Sequence, residues 1–320
     1  MSRPGSVLVT GAAGFIGSTL VDRMLAQGRS VIGLDSFDPF YPRELKEENL
    51  ADAFASDRFQ LVEGDIRDER VVSEALRRGP VEGVVHLAAL AGVRPSLERP
   101  ADYADVNVRG LAVVLGAAAK HDVRRVVFAS SSSVYGERDD GPFLETDRVE
   151  RPISPYAATK RAGELLAHTF HHAHGLPIVC ARIFTAFGPR QRPDLAIRKF
   201  ADRMLEGRPV PIFGDGSSLR DFTFVGDLVG GLLRALDSDV GFDIFNFGAG
   251  RTISVLDVVK VLERELGVKA RIDWQAPQTG DVKRTWANID AARRSLGYDP
   301  EVSFEEGVRR FVGWLKGRAE

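Results

Sequence analysis

Cysteine is almost missing from this chain. Its one thiol, Cys180, lies in the apolar run PIVCARIF, so no intrachain disulfide can form and the residue reads as core rather than nucleophile. Surplus positive charge is missing too. Lys and Arg number 43 against 45 Asp and Glu, a formal net charge of −2, which leaves no electrostatic footprint for nucleic acid. No apolar stretch reaches the ~20 residues needed to cross a bilayer. The first strand-like run begins near Ser6, which leaves no room for a signal peptide. The expectation is a cytoplasmic enzyme with neither nucleic acid nor membrane as partner. A chain of 320 residues can bury one large core or two modest ones, and no repeat or low-complexity segment interrupts it.

Two clusters of residues carry chemistry. The first opens the chain as SVLVTGAAGFIG. A short apolar run, Val7 to Thr10, reads as a buried strand. Gly11, Gly14 and Gly17 follow, and then a helical pattern. Such an order suits a tight turn, close backbone approach to a pyrophosphate and a helix N-terminus aimed at it. A second strand, Ser30 to Leu34, ends in Asp35, eighteen residues after Gly17. A carboxylate there accepts the hydroxyls of an adenosine ribose and repels a 2′-phosphate, which favours NAD over NADP. The bare alternative is a glycine-rich turn followed by a surface Asp.

The second cluster is YAATK, with Tyr156 and Lys160 four apart, downstream of the serine run Ser130 to Ser133. On a helix such residues share a face. A free tyrosine, with a pKa of about 10, is a poor base, and a lysine cation beside it is expected to favour the phenolate. With a serine hydroxyl relaying the proton, the set suits removal of a proton from a secondary alcohol while hydride leaves the same carbon. A Tyr-x-x-x-Lys pair alone recurs by chance on exposed helices; the serines and the glycine turn give it weight.

Strand-like runs alternate with helical patterns through the first half, and their β-branched centres suggest strands buried on both faces. The predicted fold is α/β, a Rossmann-like doubly wound parallel sheet with a smaller C-terminal α/β substrate domain. The NAD-binding domain is placed at residues 1–180, with a return segment near 227–247, and the substrate domain at 181–320.

Together these residues resemble the extended short-chain dehydrogenase/reductase superfamily, its NAD-dependent nucleotide-sugar epimerases and dehydratases, over essentially the whole chain. The nearer likeness is to UDP-glucuronate 4-epimerases. It rests on DSFDPFYPRELKEENL, AGVRPS, SSSSVYG, FTAFGPRQRPD, the GDV at Asp281 and ANIDAARRSLGYDP. The resemblance implies NAD as cofactor, held at its pyrophosphate by Gly11, Gly14, Phe15, Ile16 and Gly17. Asp35, Ser36 and Lys46 would surround the adenosine and Asp65 and Ile66 would flank adenine, with Leu87, Ala88, Ala89 and Asn107 further along. Tyr156 would be the base, Lys160 would hold the nicotinamide ribose, and Ser131 would assist. Ser132, Ser133 and Thr185 would bind the sugar carboxylate. Arg192 and Arg220 would clamp the diphosphate of a UDP-sugar, Asp281 would meet its ribose, and Arg94 serves either substrate or a structural ion pair. A homodimer is implied through the helices near Asp105 to Lys120 and around Tyr156.

Related sugar dehydratases typically carry Asp-Glu just before VYG, and UDP-glucuronate decarboxylases carry Glu; this chain has Ser132 and Ser133. The reading is therefore 4-epimerisation of a UDP-hexuronic acid, with UDP-glucose 4-epimerase and then UDP-glucuronate decarboxylase as alternatives. Outside that class stand a dehydrogenase releasing its NAD and a non-catalytic NAD-sensing scaffold. Leu90, Ser36 and Gln278 depart from residues common in relatives. Four histidines in HTFHHAHG hint at metal, but the segment continues the Tyr156 helix with no cysteine near, and the chemistry needs none.

Overall fold

A computed structural model describes residues 5–138, 140–277 and 282–318. In chain order the first strands are β1 (Ser6–Thr10), β2 (Ser30–Asp35), β3 (Phe59–Glu63), β4 (Val81–His86), β5 (Arg125–Ser131) and β6 (Ile178–Ile183). Then follow β7 (Thr185–Phe187), β8 (Val210–Phe213), β9 (Leu219–Arg220), β10 (Phe222–Phe224), β11 (Phe242–Phe247), β12 (Ile253–Ser254) and β13 (Ile272–Gln275). Seven of them form one parallel sheet in the order β11-β6-β5-β4-β1-β2-β3.

Alternation along each strand explains why both faces carry helices. Val7, Val9, Val31, Val85, Val127 and Val179 point into one core. Leu8, Ile32, Leu34, Val84, Val126, Phe128 and Cys180 point into another. A period of 2 sends successive side chains to opposite faces, and continuous apolar strands have a partner on each. The order reverses between β1 and β4, and ligands of such sheets bind beyond the carboxyl ends at that switch point.

Strand β6 runs to Ile183, past the boundary expected at 180. The chain then makes β7 to β10, returns through a helix at Val225–Asp237 and strand β11 to the far edge of the large sheet, and leaves again. Outside that sheet, β10 pairs with β7, β12 with β9 and β13 with β8. Among the described residues no helix is long and apolar enough to cross a membrane. His168 and His171 rest on the ring of Phe242, with centroids 5.1 and 5.6 Å away, which gives both a packing role.

Candidate functional site

The cofactor side is built from backbone. Gly11 has φ +71, and a Cβ there would lie 2.8 Å from the amide nitrogen of Ala88. A Cβ on Gly17 would lie 2.0 Å from the carbonyl oxygen of Gly11, so the turn and the helix Phe15–Ala26 close only without side chains. Gly14 caps that helix with no side-chain hydrogen bond, which leaves its first N–H groups for an anion. Phe15 is buried and Ile16 half-buried at the helix start. Asp35 accepts from the Ala13 amide at 2.9 Å and the Phe37 amide at 2.8 Å, fixing the glycine turn to the end of β2. Asn49, which the sequence did not single out, donates to the Ala13 carbonyl at 3.1 Å and ties down the same turn. Ser36 beside Asp35 is exposed. Lys46 is buried over the Tyr41 ring, and its amine donates to the Asp38 carbonyl at 2.7 Å, so it braces the loop after β2. Burial holds it below the ordinary lysine range.

Asp65 and Ile66 lie just past β3. Arg67 donates to both Asp65 oxygens, which holds Asp65 below the usual carboxylate range, and also pairs with Asp105. Leu87, Ala88 and Ala89 are half-buried past β4. There the Leu87 amide donates to the Thr10 carbonyl and the Ala88 amide to the Thr10 hydroxyl. Thr10 also bonds the buried His86 at 2.7 Å, whose pKa burial and then the Lys160 charge push down to about 3. Asn107 sits in a π-helical stretch, Asp105–Arg109, of the kind that recurs at functional sites. Its Oδ1 accepts from the Leu90 amide, and its Nδ2 donates to the Leu90 carbonyl and the Thr159 hydroxyl. Both its amide hydrogens find protein acceptors, so Asn107 positions the loop after β4 against the Tyr156 helix. The same clamp explains Leu90: its backbone is what the site uses.

The reacting groups converge on the end of β5. Helix Pro155–His174 starts at Ser154, whose hydroxyl accepts from the Ala157 amide at 3.1 Å. Tyr156 stands in its first turn, near enough to Ser131 for that hydroxyl to counter the burial of the phenol. The Tyr103 ring meets it edge-on at 6.3 Å. Lys160 is one turn on, buried, with its amine donating to the Ala129 carbonyl at 2.7 Å and lying 5.9 Å from the Tyr156 ring centre. Burial pulls Lys160 down to about 8. Burial also raises Tyr156, and the groups opposing it are Ser131 and Arg192. Burial is what moves both groups, Lys160 downward and Tyr156 upward.

Ser131 ends β5 and caps a single 3-10 turn, Ser132–Tyr135, by accepting from the Ser133 amide at 3.1 Å. Ser132 and Ser133 are half-buried in that turn, and Thr185 is half-buried at the start of β7, its amide donating to the Asp221 carbonyl. Arg192 pairs with Asp194 at 2.9 Å and lies over Phe40. Its further electrostatic partners are Tyr156 and Tyr41, which puts it at the reacting end of the site. Arg220 lies on β9 beside a cavity of about 530 Å³ lined by Phe213, Ser217, Ser218, Pro277, Val282 and Arg284. Arg94 is exposed, with its guanidinium 5.2 Å over the Phe213 ring that lines the same cavity. Asp281 and Gln278 fall outside the described residues.

Residues 7–248 match the family model of the NAD dependent epimerase/dehydratase family. The chain belongs to that family. A UDP-glucuronate 4-epimerase of Thermodesulfobacterium geofontis is 40% identical over 317 residues, covering 99% of this chain and 98% of that protein. The crystal structure of a UDP-glucuronic acid 4-epimerase from Bacillus cereus, in complex with UDP-glucuronic acid and NAD, superposes with a TM-score of 0.92. It is 36% identical, over 98% of this chain and 99% of that one. A UDP-glucose 4-epimerase of Thermotoga maritima with UDP-glucose follows at 33% identity and a TM-score of 0.89, covering 98% of this chain and all of that one.

As in an NAD-dependent member of this family, the glycine turn, the helix N-terminus and Asp35 fit the dinucleotide: a cradle that any Cβ would fill, free amides and a fixed carboxylate. The residues the sequence reading missed are polar and buried. Glu164 and Arg182 form an ion pair with side chains 0% and 1% exposed, at 2.8 Å. Burial alone would raise Glu164, yet Arg182, Ser130 and Arg161 together hold it below the usual carboxylate range. The signal was present as a charge inside each apolar pattern: Arg182 in PIVCARIF and Glu164 at i+4 from Lys160.

Proposed function

We propose that this protein interconverts UDP-glucuronate and UDP-galacturonate by transient oxidation at sugar carbon 4. The observation that carries the reading is the hydroxyl-only turn Ser131–Ser133 set against Tyr156. Bound NAD supplies the hydride acceptor and donor. Tyr156 takes the proton from the carbon 4 hydroxyl, with Ser131 sharing it. Lys160, anchored on Ala129, presents its amine beside the nicotinamide ribose. The 4-keto sugar turns over about its diphosphate link and is reduced on the other face, so there is no net redox change. Ser132, Ser133 and Thr185 hold the carboxylate. A 4-keto uronic acid is a β-keto acid that loses CO₂ readily, and neutral donors restrain its carboxylate without a negative neighbour. Arg220 and Asp281 belong to the diphosphate and uridine end, while Arg192 is assigned to the reacting end. Residues beyond Ile183, apart from the return helix and β11, serve as the substrate domain.

A homodimer is part of the same proposal. The Tyr156 helix packs beside the helix Gly110–Lys120, and its Leu165 is 54% exposed. A cytoplasmic setting rests on the sequence reading. The second reading, a UDP-glucose 4-epimerase, has a structural relative in its favour. Competing UDP-glucuronate against UDP-glucose decides between them. A kcat/KM about 100-fold higher for the acid is expected from donors that go unpaired on the neutral sugar. A preference for UDP-glucose would reverse the assignment.

A further inference from the structure

One buried pair touches both ends of the serine segment. Arg182 binds Glu164 through a two-toothed contact, Nε to Oε1 at 2.8 Å and Nη2 to Oε2 at 3.0 Å. From that pair one arm runs to Ser130, whose hydroxyl donates to Glu164 Oε1 at 2.7 Å. The other runs from Arg182 Nη1 to the Tyr135 hydroxyl at 3.0 Å. Ser130 directly precedes Ser131, and Tyr135 ends the turn that holds Ser132 and Ser133. Glu164 is one helical turn beyond Lys160, which is one turn beyond Tyr156, all on helix Pro155–His174.

The chain of bonds continues outward. The Tyr135 hydroxyl donates to Asn246 Oδ1 at 2.7 Å, and Asn246 Nδ2 donates to the carbonyls of Phe143 and Asn288. The Glu145 carboxylate accepts from the Asn246 amide at 2.9 Å. None of these side chains is among the residues assigned to proton transfer or to sugar and cofactor contact, and Arg182 and Glu164 are closed to solvent.

We propose that Arg182 and Glu164, through Ser130 and Tyr135, are positioning residues that hold the carboxylate-binding serines in fixed register with Tyr156 and Lys160. The inference rests on the epimerase reading for what the serines do. Its physical ground is that a buried, bidentate guanidinium–carboxylate pair fixes direction as well as distance, and reacting groups displaced by about 1 Å lose on the order of 100-fold in rate. Sequence spacing sets the interval between Tyr156, Lys160 and Glu164. The ion pair, through Ser130, joins the Lys160–Ala129 bond in setting the helix against the end of β5 where the serines stand.

Two partial losses of the bracket leave the ion pair intact: Tyr135→Phe and Ser130→Ala. Each is made in the full chain with its retained NAD, and kcat, KM and products are measured with UDP-glucuronate. Slack serines release the carboxylate of the 4-keto sugar. The bond between carbon 5 and the carboxyl carbon then breaks, CO₂ leaves, its electron pair forms the enolate, a proton returns to carbon 5, and the hydride taken up at the start returns to carbon 4 with the Tyr156 proton, giving UDP-pentose. The expected result is a kcat about tenfold lower with KM within about twofold, and a several-fold larger share of UDP-pentose. Arg182→Lys, which keeps charge but loses the fork, should show the same product shift. Normal kcat and product ratio in folded, NAD-retaining Tyr135→Phe and Ser130→Ala would overturn the proposal, as would a change in KM alone. Wild-type protein inert to UDP-glucuronate sinks the epimerase reading instead; the bracket is then judged by the kcat-against-KM split on UDP-glucose.

Discussion

The two sides of the crevice are made differently. On the cofactor side, position is set by backbone: Gly11 with its positive φ, Gly17 against the Gly11 carbonyl, and a carboxylate gripping two amides. On the substrate side it is set by polar side chains that bond from one element to another, such as Glu164 with Arg182 and Asn107 with the Leu90 backbone. A backbone turn tolerates almost no substitution at its glycines, with Asp35 and Asn49 holding it in place. A side-chain constellation admits graded change and depends on the whole fold being in register.

The sharpest break of that contrast is Tyr156→Phe. It removes one oxygen on the substrate side and should lower turnover by about 10³-fold or more, while the NAD released on denaturation stays at the wild-type amount per chain. Loss of cofactor in this variant would show that the two sides are not separable. On the cofactor side, Gly17→Ala should do the reverse. Its methyl would press on the Gly11 carbonyl 2.0 Å away, so NAD retention should fall and stability drop by about 1–3 kcal/mol, measured by cofactor release and chemical denaturation.

The ion pair sharpens the comparison further. Removing one partner, as in Arg182→Met, leaves buried Glu164 to the half-buried Arg161 and to Ser130 and should cost about 3 kcal/mol. Adding Glu164→Leu should recover much of that loss in a denaturation curve, yet not the product ratio, because the bracket on Ser130 and Tyr135 is still gone. Full functional recovery in the double variant would reduce the pair to packing.

Lys160 tests the balance of stability against function. Its folded pKa of about 8 stands below the ordinary lysine value of 10.5, a difference of about 3 kcal/mol at 1.36 per unit. The sign follows from proton counts: between those values the unfolded chain holds more protons, so wild-type stability rises with pH across that window. Below about pH 8 the penalty is at its full size. Lys160→Met loses the Ala129 bond, worth about 1 kcal/mol, so it should be inactive yet about 2 kcal/mol more stable at pH 7. The advantage should shrink as pH approaches 10.5. A smaller effect closes the series: Ser154→Ala removes the cap of the Tyr156 helix and should cost about 1 kcal/mol, with turnover falling only modestly.

These contrasts also explain how far the sequence could be read. The strand–glycine–helix–Asp35 order was legible because each requirement is local: a turn that excludes a Cβ, a free helix terminus, a strand end. Tyr156, Lys160 and Ser131 were legible for the same reason, as spacing on one helix and one strand end. The bonds of Asn107 to Leu90 and Thr159 were not legible, because they depend on how a π-helical stretch lies against two other segments. The Lys160 bond to Ala129 was not legible either, because adjacency on a helix says nothing of the carbonyl that meets the amine. Arg182 and Glu164 were passed over because each stands inside an otherwise apolar pattern, and only the sheet brings them together. The return of β11 to the large sheet is likewise a matter of topology, with no single residue to announce it.

The most direct test incubates the purified protein with UDP-glucuronate and no added NAD, and follows the sugar by NMR. The account predicts UDP-galacturonate accumulating to an equilibrium mixture, with no CO₂ and no UDP-pentose. A UDP-pentose as the main product, or turnover only when NAD is supplied and consumed, would contradict it.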